Sequence, residues 1–269
     1  MFTVAQARIL ALIAMVGVVP VACAPPSEAD PDASVDPGPM VLETDPQQGE
    51  KDVPIDKVVR IYMSDHVDGD SVRRDAFSLK TGGLSYWLMA FYDPVRGRLT
   101  VWPSAEMRQG AQFVFSLQEG LRGLDGGPVA PGEVTAFTTG FEAGDNHPYD
   151  QLALEGALEV MFAQRCGSCH GGDEPIAGLD LEDIDGFLET AVDRDADGLS
   201  GWKRIVPYKP GSSYLLYKLI GDPRTKGEPM PRSFESDEPA RQLEREQLEA
   251  VSDWIAGGAA FFDQGDGAK

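Results

Sequence analysis

Residues 93–102, Asp93-Pro94-Val95-Arg96-Gly97-Arg98-Leu99-Thr100-Val101-Trp102, read as a turn followed by a strand. Proline presets φ near −65° and glycine enters the left-handed region at no steric cost, so this Asp-Pro-x-x-Gly reverses the chain. Beyond it, apolar and polar residues alternate, as in a strand with one buried face. Before it, Leu84 to Tyr92 is rich in aromatics. Working outward, Val58-Val59-Arg60-Ile61-Tyr62-Met63, Phe77-Ser78-Leu79-Lys80, Gln112 to Leu117 and Glu133 to Thr139 have the same character, with turn residues every 8–15 positions. No stretch of 41–140 shows a 3.6-residue period. About seven short strands in this span predict an antiparallel β-sandwich.

Residues 149–263 change character. Leu154, Leu158, Met161, Phe162 and Arg165 recur at helical spacing, as do Leu248, Val251, Trp254 and Ile255. Asp237-Glu238-Pro239 reads as the start of the last helix and Gly257-Gly258 as its stop. Two amphipathic helices therefore bracket a loop-rich middle, with Met161, Phe162 and Trp254 in the core. Residues 141–148 read as a linker and 264–269 as a tail.

The 269 residues are 42% hydrophobic and 25% charged, which excludes wholesale disorder and a polytopic membrane protein. A formal net charge of −21 makes the folded surface a poor partner for nucleic acid or anionic lipid. The charge is uneven: ten acids and one arginine lie between Asp173 and Asp197. A protein docking there is expected to be basic or bridged by Ca²⁺. General acidic solubility explains the same composition.

The amino terminus carries one basic residue, Arg8, and then an uncharged run from Ile9 to Ala22. A span of the bilayer needs about 20 such residues, whereas this run has the length of a signal-peptide core. Residues 1–22 are thus expected to be a signal peptide. Val21-Ala22-Cys23, followed by a Pro/Asp/Ser-rich stretch, resembles a bacterial lipoprotein signal, although Pro20 stands where leucine is usual. The resemblance implies lipidation of Cys23, a tether over 23–40, and a membrane-anchored protein on the periplasmic or cell-surface side. Plain secretion, with Cys23 incidental, and a retained anchor are the alternatives.

Cys166-Gly167-Ser168-Cys169-His170 is the chemical centre of the sequence. In C-x-x-C-H the two thiols add to the haem vinyls, and the adjacent imidazole turns to the iron. One covalent haem c is therefore expected, held by Cys166 and Cys169 with His170 as proximal ligand. A redox dithiol expects a βαβ context, a zinc site needs a fourth ligand, and a disulfide across two residues is strained. Met230, between Pro229 and Pro231, is the only methionine after His170 and is the expected sixth ligand. An open sixth site is the alternative.

Two resemblances organise the chain. Asp45-Pro46, Gly49, Met63-Ser64, Tyr92-Asp93, Leu99-Thr100-Val101, Gly110, Gly120-Leu121 and Phe137-Thr138-Thr139-Gly140 resemble the bacterial Ig-like domain over 41–140. Cys166 to Gly172, Gly178-Leu179-Asp180-Leu181, Ile205-Val206-Pro207, Pro210 to Leu215, Lys218-Leu219, Met230-Pro231 and Leu248 to Ala259 resemble the planctomycete-type monohaem cytochrome c domain over 149–263. Together they imply a multidomain fold class: an N-terminal all-β Ig-like sandwich and a C-terminal all-α cytochrome c-like domain. They imply an electron carrier rather than an enzyme, serving unknown redox partner proteins and anchored to the membrane through lipid. The readings kept beside it are a surface adhesion or assembly protein using the Ig-like domain, and a haem sensor or enzyme subunit.

Two acidic loops complete the inventory. Asp193-Arg194-Asp195-Ala196-Asp197-Gly198 opens like a Ca²⁺ loop, but its twelfth position is Arg204 rather than a glutamate. His66 beside Asp65 and Asp68 reads as a polar loop or a metal site.

Overall fold

Alternation along Val59–Met63 seeds the first sheet. Val59, Ile61 and Met63 are buried there, and Arg60 and Tyr62 half-buried. A computed structural model describes residues 37–149, 155–232 and 243–260. The first sheet runs β1 (Val41–Asp45), β2 (Val59–Met63), β6 (Arg98–Pro103), β5 (Leu88–Asp93). The second runs β4 (Leu84–Ser85), β3 (Phe77–Thr81), β7 (Gln112–Leu117), β8 (Gly132–Thr138). Every ladder is antiparallel. Between the sheets lies an apolar core that includes Ile61, Leu79, Leu99, Val101, Phe113, Phe115 and Phe137. The Phe113 and Phe137 rings stack at 5.7 Å.

The turn at 93–97 closes the β5–β6 hairpin, with Asp93 opposite Arg98. The Asp93 carboxylate accepts the Val95 and Arg96 backbone N–H groups at 3.0 and 3.2 Å. Gly97 takes φ +64°, where an L side chain would be strained.

Past the sandwich, the chain 141–147 is strapped to it rather than free. Ile55 N–H donates to Glu142 O at 3.1 Å, and Arg60 donates to His147 O at 3.3 Å. The Asp56 carboxylate accepts Gly144 N–H at 2.7 Å and Asn146 N–H at 3.0 Å. Burial acts to raise the Asp56 carboxyl, but these donors prevail and hold it below the usual carboxylate value.

The C-terminal part corrects the expected fold class. The described chain is predominantly β, and its helices are few and short: α1 (Glu155–Arg165), α2 (Ile184–Ala191), α3 (Tyr214–Leu219) and α4 (Arg245–Ala256). They surround a second apolar cluster holding Phe162, Phe187, Ile205, Leu216, Val251 and Trp254. What connects them is irregular chain, pinned by single bridges such as Val192 to Ile205 and Lys203 to Ser213. The physical reason is composition. Gly171, Gly172, Pro175, Gly178, Gly198, Gly201, Pro207 and Pro210 break up the chain between α1 and α3 on either side of α2. Gly257 and Gly258 do stop α4, but its start is a capping box. There the Glu244 side chain accepts from the backbone of Gln247, and the Gln247 side chain from the backbone of Glu244. The expected start at Asp237-Glu238-Pro239, and Leu154, lie outside the described residues, as do the signal peptide, Cys23 and the tail. Among the described residues no helix is long and apolar enough to cross a membrane.

The sandwich and the helical segment meet over β5. Phe91 and Asp93 face away from the sandwich core yet are buried, 3% and 0% exposed. The Phe91 ring packs near Trp102 and Tyr149. Arg96, on the hairpin turn, donates to both Asp253 oxygens of α4 at 2.9 and 3.0 Å and to Asp93 at 2.7 Å. Ser252 adds a 2.9 Å donation to Asp93. Burial works against the Arg96 charge, but the two carboxylates outweigh it and push its pKa up. Such a paired, forked geometry is what allows buried charge to persist.

Candidate functional site

The turn after α1 is built by helical hydrogen bonds that run on past Arg165. Cys166 and Gly167 N–H donate to Phe162 O at 2.9 and 3.0 Å, and His170 N–H donates to Cys166 O at 2.9 Å. The C-x-x-C-H residues therefore form one further turn on the end of α1. Gly167 is required there, because a Cβ would stand 2.6 Å from Ala163 O. Both thiols are free. Burial pushes the Cys166 thiol up to about 11, so it is protonated at neutral pH. A redox dithiol needs the opposite, a thiolate favoured by its surroundings.

His170 Nδ1 lies 3.0 Å from Ile176 O. In the tautomer protonated at Nδ1, the ring donates to that carbonyl and keeps the Nε2 lone pair for a ligand bond. Ile176 begins a 3-10 turn in which Ala177 adopts φ 60°. That turn is held from below by Arg204, which donates to Ala177 O at 2.6 Å, Gly178 O at 2.8 Å and Thr190 O at 2.9 Å. Sequence reading noted Arg204 only as a missing calcium ligand. Nothing in the sequence marks it as the support of the loop that orients His170.

Met230 N–H donates to Lys218 O at 3.1 Å, and its side chain packs against the same apolar cluster as Cys166. The fold thus places Cys166 and Met230 on one cluster, with Cys169 and His170 on the adjoining turn. Cys23 lies outside the described residues.

The acidic loop at 193–198 is organised by the chain's own cations. Lys203 reaches Asp193 at 2.5 Å and Arg204 reaches Asp197 at 3.1 Å. His66 contacts Tyr92 and Asp222, not Asp68. Among the described residues no three His, Cys, Asp or Glu side chains converge to hold a metal ion.

No protein-family model matches the chain, and no curated protein matches it. Slight likenesses to solved structures exist. The S-layer protein rSbsC aligns with 38% of this chain and 14% of its own length, at 14% identity and a TM-score of 0.31. Mycobacterium tuberculosis L,D-transpeptidase 1 aligns with 38% of this chain and 39% of its own, at 14% identity and a TM-score of 0.27. CopC from Methylosinus trichosporium OB3b aligns with 40% of this chain and 98% of its own, at 15% identity and a TM-score of 0.28. The chain therefore spans far less than two thirds of the S-layer protein and the transpeptidase. Scores this low assign no function.

These findings overturn the resemblance to a planctomycete-type monohaem cytochrome c domain behind an Ig-like domain in a lipoprotein. No family model supports it, no metal-holding cluster is present among the described residues, and the described chain is mostly two antiparallel sheets. The descriptors that went with it, haem and metal binding among them, fall as a family assignment for the same reasons. Short motifs spaced along a loop-rich chain matched a pattern without the all-α framework it implies.

Proposed function

We propose that the protein is an exported adhesion or assembly protein in which the β-sandwich does the work. The observation that carries this reading is the edge of the first sheet. Among the described residues strand β1 is at the edge of its sheet and pairs only with β2; Met40 just before it and Leu42 within it, at the bulge between Val41 and Glu43, are 63% and 66% exposed. An edge strand with large exposed apolar side chains is a template for strand addition, even where a bulge interrupts its ladder. It follows directly on the Pro/Asp-rich stretch that reads as a tether from the envelope. Sedimentation of the mature chain tests the reading. Wild type should associate with rising concentration, and Leu42→Lys should stay monomeric. A wild type monomeric throughout, with envelope retention unchanged by Leu42→Lys, overturns it.

A second reading is favoured by the shared placement of Cys166, Cys169, His170 and Met230. Here the chain carries one haem c covalently, as a group secondary to assembly or as a carrier of single electrons to basic redox partners, and is not an enzyme. Cys166 and Cys169 would hold it by thioethers, His170 would present Nε2, and Met230 a thioether sulfur. The group supplies one-electron redox chemistry when bound. The chain's part is to fix the His170 ring through Ile176 O and to exclude water with the cluster around Phe162. Denatured protein from a host able to attach haem should keep haem stain, and Cys166→Ala with Cys169→Ala should lose it. Pigment that extracts into acid acetone from the wild type overturns the reading.

A further inference from the structure

His66 stands where the sandwich meets the helical segment, just after β2. Its ring lies edge-on to Tyr92 of β5, with centroids 6.1 Å apart, and to Tyr217 of α3, at 5.5 Å. Nδ1 is 2.9 Å from the Tyr92 hydroxyl, and Nε2 is 3.5 Å from the Asp222 carboxylate. Tyr92 is 1% exposed.

One protonation state satisfies this arrangement. With the imidazole neutral and its hydrogen on Nε2, the Tyr92 O–H donates to Nδ1 and Nε2–H faces Asp222. A proton added to Nδ1 removes the acceptor. The Nδ1–H then points at the Tyr92 oxygen, and the buried Tyr92 proton loses its acceptor. Asp222 does not compensate, because Arg224 already grips both its oxygens at 2.7 and 2.8 Å.

We propose that His66 is an acid-sensitive latch: neutral, it holds the 214–224 segment on the sandwich, and protonated, it loosens that contact. The groups facing it are Tyr92, Tyr217, Asp222, Arg224 and Asp65. Burial pushes His66 below its ordinary value, Asp222 and Asp65 oppose this, and Arg224 adds to it. The sign follows. A histidine depressed in the fold adds stability that is present above its unfolded value of about 6.5 and lost as pH falls toward the folded value.

The full chain has three histidines, so the His66 ring resonance is identified by its loss in His66→Gln. In wild type it should titrate below 6.5. Glutamine accepts and donates along the same directions without titrating. Between pH 7.5 and 5.0 the α3 amides of wild type should therefore lose more exchange protection than those of His66→Gln. Tyr92→Phe removes the trapped hydroxyl proton and should raise the His66 midpoint, which a merely structural contact would not do. A wild-type midpoint at or above 6.5, or equal pH dependence in wild type and His66→Gln, overturns the latch. Should His66→Gln fail to fold, the rise of the midpoint in Tyr92→Phe decides, with His147→Gln and His170→Gln together supplying the resonance assignment by elimination.

Discussion

Arg96 shows how one side chain ties distant parts of the chain. It spans 157 positions to reach Asp253, has Glu249 at 3.3 Å, and its third carboxylate partner, Asp93, is fully buried. Removing one partner of a buried pair leaves the other charge stranded, at a cost of about 3–5 kcal/mol. Arg96→Ala should lower the urea stability by that amount, and adding Asp253→Ala should restore part of it. Asp56 makes a smaller prediction with a defined pH sense. Its carboxyl is held low in the fold, so its contribution is present above the unfolded value of about 4 and lost as pH falls through the folded value. Asp56→Ala should thus weaken the protein at pH 7, by an amount that shrinks when the midpoints are compared at pH 3. Neither residue stands out in the sequence. Arg96 reads as a turn residue, and its partner is visible only once α4 is in place.

At the level of elements, β5 is the strand whose reading depends on what covers it. Met89 is exposed, but Phe91, Tyr92 and Asp93 are buried in succession. Alternation fails there because the sandwich core takes Tyr92, Trp102 and Tyr149 flank Phe91, and Arg96 with Ser252 of α4 covers Asp93, as in strands buried on both faces. Phe91→Ala should therefore cost about 3–5 kcal/mol, as at a core position. A loss under 1 kcal/mol by urea titration would show that the outer face is solvated. In α2, the Asp183 side chain accepts Gly186 N–H at 2.8 Å as the N-cap. Asp183→Ala should cost about 1 kcal/mol, read in the same titration. This cap is legible in the sequence, whereas the length of α2 is set by its packing of Phe187 on Trp254.

For the whole molecule, the described residues from 37 on form one compact unit although they hold two apolar clusters. The Arg96 pairs, the Ser252–Asp93 bond and the 2.9 Å donation from Ser212 to Asp70 bridge the clusters. One cooperative unfolding transition is expected. The four tryptophans allow the test, since Trp87 and Trp102 report on the sandwich and Trp202 and Trp254 on the helical segment. Chains keeping one pair or the other should unfold with coincident midpoints. Midpoints that separate would show two independently stable bodies.

The sequence by itself determined local matters: the hairpin turn at 93–97, the strands that alternate in period two, the thiol–thiol–imidazole order at 166–170 and the glycines that end α4. Each depends on bonds within a few residues. The tertiary structure decided what those pieces are for. It covered the outer face of β5, joined Arg96 to Asp253, set Arg204 beneath the His170 loop and enclosed His66 between Tyr92, Tyr217 and Asp222. These contacts join residues far apart in the chain, and their value comes from burial, which no local pattern of residues records.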